Sequence, residues 1–155
     1  MPQRYYFYMT SFLISSDIYR NTHYGGKHPL NIPRVGATLD LIKAMSWCDE
    51  AKFITAPIAK PSLLKKFHSN DYVNVLIEAD EKQEIDKNQS NKYNLGTPSN
   101  PIFKGMYKRP ATSVGGSVVA AEFAFLHGRA FNLGGGLHHG LVNKANGFCY
   151  LNDLV

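Results

Sequence analysis

Near its C-terminal end the chain reads GGGLHHGLVNKANGFCYLND, Gly134 to Asp153. Just before it, Arg129 to Leu133 (RAFNL) is a short apolar run that reads as a strand. A strand running directly into three glycines is a backbone that turns tightly and admits close approach. In open α/β sheets, ligands sit beyond the carboxyl ends of strands. Two adjacent histidines at that point, His138 and His139, are therefore candidate site residues.

Working outward, Phe12 to Ser16 (FLISS) and Lys52 to Ala56 (KFITA) read as two further strands. Helices alternate with them. Residues 33–46 carry Val35, Leu39, Ile42 and Met45 near helical spacing, with Pro33 suited to a first turn. Pro61 opens a short helix, PSLLKKF. A longer one follows, with Ser69 or Asn70 as N-cap and Tyr72, Val75 and Leu76 on one face. Residues 111–128 form a helix rich in Gly, Ala and Ser, started by Pro110, whose small residues imply close approach of another element. Residues 81–100 are polar and aperiodic and read as a long loop. From Asn146 or Gly147 onward, FCYLNDLV reads as the first turns of a helix. No repeat or linker divides the chain, so one α/β domain is expected over 1–155, with a mostly parallel sheet and flanking helices.

Of the 155 residues 44% are hydrophobic and 19% charged, a folded rather than a disordered composition. The net charge of +5 is scattered. Its densest groups are Lys60, Lys65 and Lys66, then Lys104, Lys108 and Arg109. With no aromatic-interleaved basic stripe, this is a solvated surface, and no specific nucleic acid partner is expected. The N-terminal MPQRYYFYMTSFLISS is Tyr-rich, broken by Thr10 and Ser11, and lacks a small-residue cleavage site, so no signal is expected. No apolar run reaches the about 18 residues a spanning helix needs, so no membrane association is expected. Cys48 and Cys149 lie in no CxxC and read as reduced thiols, which points to the cytoplasm.

The glycine run could cradle phosphate, but neither GxGxxG nor GxxxxGK[ST] is present. Adjacent histidines are a poor ligand pair for one metal, because neighbouring side chains diverge. They suit two separate proton roles better. The bland alternative, two satisfied loop histidines, is weakened by the glycines and by Gly147-Phe148.

GGLHH, seven residues, then GFCYLND resembles the histone deacetylase family, including its bacterial acetoin-utilization and polyamine-deacetylase branches. The likeness extends over most of the chain. GKHPLNIPR (26–34) is similar to the family's first active-site loop, and FHSNDYV (67–73) to its FHxxxY segment. NLGTPSNPIFKGMY (94–107) resembles its second rim loop, nearest the acetoin-utilization branch, and SVGGSVVAA (113–121) its small-residue helix. The resemblance implies the N-terminal portion of an arginase/deacetylase-like fold and a metal-dependent amide hydrolase. In such an enzyme Zn2+, or another divalent ion, polarises the acetyl carbonyl and lowers the pKa of a bound water. By the same resemblance His139 is the general base and then the acid, and His138 its buried partner. Gly147 and Phe148 line a narrow tunnel for an acetyl-lysine or a small acetylated amine. Gly136 lets the strand end meet the site, beside glycines that are simple turn residues. Cys149 and Tyr150 are packing residues. Arg34 is either the arginine near an internal cavity or a surface charge at a helix start.

The family's metal-binding Asp-x-His has no counterpart here. The aspartates are at 17, 40, 49, 71, 80, 86 and 153, and none begins Asp-x-His. After Asp86 the only acids are Glu122 and Asp153. No metal ligand is therefore assigned within the chain. A partial domain, inactive alone, is the expectation: a truncated product, a fragment, or one part of a split enzyme. The rim stretch Thr97-Pro98-Ser99-Asn100 also lacks the acid that many relatives use to grip substrate backbone. Two alternatives stand beside the deacetylase reading. One is a non-catalytic remnant that binds a partner, or itself, through an exposed sheet edge. The other is a glycine-loop phosphate binder.

Overall fold

The computed structural model describes residues 10–25 and 28–155. Gly26 and Lys27 of the first-loop motif lie outside the described residues, as does the chain before Thr10.

Three strands form one parallel sheet in the order β2-β1-β3: β1 (Thr10–Ser15), β2 (Phe53–Thr55) and β3 (Gly128–Asn132). Leu13 pairs with Phe53 on one side and Phe131 on the other. The central strand turns buried along its length, with Ile14 fully enclosed, as expected where a parallel strand is covered on both faces. Among the described residues six α-helices accompany the sheet: α1 (Ile18–Asn21), α2 (Arg34–Ala44), α3 (Pro61–Leu64), α4 (Asn70–Lys82), α5 (Lys87–Tyr93) and α6 (Lys108–His127). The α/β class and parallel sheet expected from the sequence are thus observed.

Helix α4 starts where Ser69 caps it, the Ser69 hydroxyl accepting from the Tyr72 amide at 3.4 Å. Its Tyr72, Val73, Val75, Leu76 and Ala79 face the core. They pack with Tyr93, Leu95, Met106, Ala111, Tyr150 and Leu151. The stretch 141–151 is laced onto this core by long-range bonds. Val142 O accepts from Ser69 N at 2.9 Å, Ala145 N donates to Tyr93 O at 3.0 Å, and the Tyr72 hydroxyl donates to Tyr150 O. Tyr150 and Cys149 are buried, as packing residues should be.

Several expectations are corrected. The stretch 81–100 is not a continuous loop, because α5 occupies its middle. The Asp86 carboxylate caps this helix through Asn88 N and Gln89 N, and Asn94 closes it in the left-handed region at φ 55°. Only Tyr93 of α5 is buried, so no apolar periodicity announces it. The final FCYLNDLV forms turns, not a helix. Asn152 N donates to His68, and the Asn152 and Asp153 side chains bond to residues 136–140 and Leu154, so this segment is held by distant partners rather than by an i→i+4 ladder. Helix α2 forms as expected, but of its four-residue stripe only Leu39 is buried, and Met45 is exposed. Helix α6 begins two residues before Pro110, which sits harmlessly in the first turn.

The small residues of α6 do admit close neighbours. The segment after β2 runs beside it, Ala59 N donating to Ala111 O at 2.9 Å. A Cβ at Gly115 would overlap the Pro57 carbonyl and stand 3.1 Å from Ala59 N. One at Gly116 would lie 2.8 Å from the Asn132 amide. Phe123 meets Phe12 edge-on, with centroids 4.8 Å apart. Because backbone rather than a movable side chain opposes Gly115, Gly115→Ala is expected to destabilise the chain by ~1–3 kcal/mol, read as a lowered urea midpoint.

Candidate active site

Strand β3 ends at Asn132, and the glycine turn follows beyond the carboxyl ends of the strands. Every amide in the turn has an acceptor. Gly134 N donates to Asn132 Oδ1 at 3.1 Å and Gly135 N to Asn132 O at 3.3 Å. Gly136 N and Leu137 N donate to the Asp153 carboxylate at 2.9 and 2.6 Å. A phosphate would find these donors already taken, which argues against the glycine-loop phosphate alternative. Gly134 and Gly135 are not simple turn residues. A Cβ at Gly134 would overlap the Tyr19 ring, and one at Gly135 would meet Asp153 Oδ2 at 2.8 Å. Gly136, at φ 93°, makes the turn itself.

His138 and His139 emerge from this turn with ring centroids 4.1 Å apart, tilted by 43°. Their side chains converge, contrary to the divergence expected of neighbours. The His138 ring folds back so that Nδ1 lies 2.9 Å from Gly136 O. Among the described residues both histidines are exposed, so the burial implied for His138 is not observed in this chain. His139 rests against the Gly147 backbone, where a Cβ would stand 2.9 Å from its Cγ. Gly147 and Phe148 both adopt positive φ, 54° and 69°. For an aromatic residue this is a strained backbone costing about 1–3 kcal/mol. The surroundings impose it: Phe148 meets the His28 ring edge-on at 4.7 Å, and Tyr24 Oη donates to its carbonyl at 3.4 Å.

Arg34 opens α2, is exposed, and donates to Pro29 O at 3.2 Å. It also lines a cavity of about 220 Å³ behind the glycine turn, together with Tyr19, Tyr24, Arg109, Gly134 and Leu137. Arg34 thus combines an exposed position at a helix start with a place in the cavity wall. The structure brings His138, His139, Gly136 and Gly147 into contact, whereas the Phe148 ring packs on His28 and Arg34 lines the cavity beside Gly134 and Leu137.

Four residues of this region were not singled out from the sequence. Asp153 and Asn152 tie the C-terminal segment to the histidine loop. Nothing local announces this, since Asn152 Nδ2 donates to the carbonyl of Gly140 at 3.0 Å. His28 sits in the first-loop motif and is held by backbone: Leu30 N donates to its Nδ1 at 3.1 Å, and its Nε2 donates to Ser99 O at 3.2 Å. His68, from the FHSNDYV motif, is 2% exposed. Its Nδ1 donates to Leu141 O at 3.0 Å, and its Nε2 accepts from Asn152 N at 3.0 Å. Burial lowers its pKa below the usual histidine value, against the opposing pull of the Leu141 and Val142 backbone. Burial likewise raises the Cys149 thiol, which keeps it protonated and unreactive.

No group of three His, Cys, Asp or Glu side chains that could hold a metal ion occurs among the described residues. The residues present do not fit the zinc site that the family resemblance implies. No helix of the described residues is long and apolar enough to cross a membrane.

The histone deacetylase domain model matches residues 28–155. The chain is 35% identical over 147 residues to the acetoin utilization protein AcuC of Bacillus subtilis (strain 168), covering 92% of this chain and 37% of that protein. It is 36% identical over 141 residues to histone deacetylase HDAC1 of Drosophila melanogaster, covering 87% of this chain and 26% of that protein. Among solved structures it superposes on a histone deacetylase homologue from Aquifex aeolicus with a TM-score of 0.88 and 39% identity, over 93% of this chain and 39% of that one. The fold is that of a histone deacetylase-type α/β domain. The chain belongs to the histone deacetylase family and spans between about a quarter and two fifths of the length of these relatives.

His68 gives the site region an acid sensitivity. Its folded pKa lies below the unfolded value of about 6.5, so between the two the unfolded chain binds a proton that the folded chain refuses. Its contribution is therefore complete above about pH 6.5 and is lost as the pH falls through the folded pKa. Urea titrations should show stability falling by up to about 1.4 kcal/mol per pH unit below pH 6.5 on this account. His68→Asn should remove that component of the slope.

Proposed function

We propose that this chain is the histidine-bearing part of a deacetylase that hydrolyses an acetyl-amide, either an acetyl-lysine or a small acetylated amine. The observation that carries the proposal is the convergence of the His138 and His139 rings, 4.1 Å apart, at a strand-end glycine turn beside Gly147 and Phe148. His139, seated on Gly147, takes a proton from the attacking water and returns it to the leaving amine. His138, with Nδ1 on the Gly136 carbonyl, stands beside it and tunes the charge of the pair. Gly147 leaves room for His139, and the Phe148 ring supplies an apolar wall for the substrate chain. Gly136 shapes the turn, and Arg34 closes the cavity behind it.

The metal ligands of such an enzyme would come from polypeptide outside these 155 residues, and the chain alone is proposed to be inactive. The rim supports a small substrate. The Ser99 carbonyl is bonded to His28, and no carboxylate stands in Thr97-Pro98-Ser99-Asn100 to grip a peptide backbone. The unpaired thiols Cys48 and Cys149 suit a reducing compartment, and a cytoplasmic setting belongs to the same proposal.

A second reading has its own observation. Phe131 on β3 is 63% exposed, and Phe125 and Leu126 at the end of α6 are 90% and 69% exposed, beside the open β3 edge. A partner-binding fragment, or self-association through that edge, would use this surface. Light scattering at rising concentration separates a monomer from such assemblies.

The catalytic proposal is tested by joining this chain to the remaining length of Bacillus subtilis AcuC. The zinc-loaded chimera is expected to deacetylate an acetyl-lysine peptide or an N-acetylated diamine. His139→Ala should lower kcat by about 10²–10⁴-fold. A folded, zinc-loaded chimera that releases no acetate from either substrate would count against the proposal.

A further inference from the structure

The peptide unit joining Gly136 to Leu137 is held at both of its polar atoms. Its N–H, on Leu137, donates to Asp153 Oδ1 at 2.6 Å. Its carbonyl, on Gly136, lies 2.9 Å from His138 Nδ1. A carbonyl only accepts, so this contact requires the proton on Nδ1 and leaves Nε2 with the lone pair. A carboxylate bonded to the N–H of a peptide also polarises that peptide's carbonyl and strengthens the bond it accepts. The other carboxylate oxygen, Oδ2, accepts from Gly136 N at 2.9 Å and Ser117 Oγ at 2.6 Å. Asp153 is only 8% exposed and lies so close to the turn that Gly135 has no room for a side chain. Ser117 is held in turn by Asn132 Nδ2 at 3.0 Å, which ties the arrangement to the end of β3. On the far side of the pair, Asn152 Nδ2 donates to His138 O at 3.4 Å and to Gly140 O at 3.0 Å.

We propose that Asp153 is the positioning residue of the histidine pair: it clamps the 136–137 peptide and, through the Gly136 carbonyl, holds His138 as the Nδ1–H tautomer with Nε2 free to take a proton. This deepens the proposed deacetylase reading and rests on it for its catalytic meaning, but its test does not, because the tautomer is observed without turnover. A loop clamp with no influence on the imidazole is the competing explanation, and it predicts a different spectrum.

The experiment is nitrogen-15 NMR of the histidine rings in the native chain, Asp153→Asn and Ser117→Ala. The native His138 ring should be protonated at Nδ1. Asparagine offers one acceptor and turns an NH2 group toward an amide, so Gly136 N or Leu137 N loses its partner. In Asp153→Asn the share of Nε2–H relative to Nδ1–H should rise about fivefold, the weight of one ordinary hydrogen bond. The Gly136 and Leu137 amides should exchange faster at the same time. Ser117→Ala leaves both amide bonds in place and should leave the tautomer ratio at the native value. An unchanged ratio in folded Asp153→Asn, whatever its melting temperature, overturns the proposal. Should that variant not fold, the native chain decides: a scalar coupling across the hydrogen bond from Leu137 N to the Asp153 carboxyl carbon, with an Nδ1–H ring, supports the proposal, and an Nε2–H ring overturns it. A tautomer shift as expected in a chain whose chimera shows no deacetylation would sink the functional reading and leave the positioning role standing.

Discussion

Close approach of backbone to its neighbours, with no side chain between, is the constraint on which the rest of the molecule depends. Four of the glycines at which it operates lie on two elements. Gly115 meets the Pro57 carbonyl and Gly116 the Asn132 side chain, which seats α6 against the sheet side of the domain. Gly134 lies under the Tyr19 ring and Gly135 against Asp153, which fixes how the chain leaves β3. The imidazoles of His138 and His139 follow directly on the turn that these contacts pack. Protein interiors transmit small displacements rather than absorbing them. A methyl group at Gly135 would press on the Asp153 carboxylate that holds the Gly136 and Leu137 amides just before the histidines.

What could be read from the sequence follows from how local its cause is. The three strands and α4 were legible because apolar runs and helical spacing record burial directly, and Ser69 records its own cap. Helix α5 was not, because one buried tyrosine leaves no stripe and its ends are set by single residues, Asp86 and Asn94. The segment after Gly147 was misread as a helix because its apolar residues suit one, while the atoms that decide the matter are bonded to partners as far away as His68. In the site, the histidine pair, Gly136, Gly147 and Phe148 were visible as residue types in a motif. Asp153 was visible only as an acid. Its function depends on two glycine-loop amides that approach it through the fold. The exposure of both catalytic candidates was equally hidden, since it depends on what covers the turn and not on the residues within it.

The histidines divide by environment. His28 and His68 each give one ring nitrogen to a backbone carbonyl and receive a backbone N–H at the other, an arrangement that only the neutral ring satisfies. They act as fixed fasteners between the loops that flank the site. His138 has one backbone contact and an exposed ring, and His139 lies on a glycine. Burial also lowers the pKa of His68, which favours its neutral ring. Burial raises the Cys149 thiol and keeps it protonated.

The parallel sheet has a consequence for how the chain assembles. Strand β1 pairs with β3 in register from Thr10↔Gly128 to Ile14↔Asn132, so that half of the sheet closes a loop of well over a hundred residues. Helices α4, α5 and α6 carry their own local hydrogen-bond ladders and can begin to form early, whereas the β1–β3 ladder must wait for almost the whole chain to be in place. The glycine turn grows out of the end of that ladder. The histidines therefore acquire their geometry among the last events of folding, and any delay in strand closure is a delay in assembling the site.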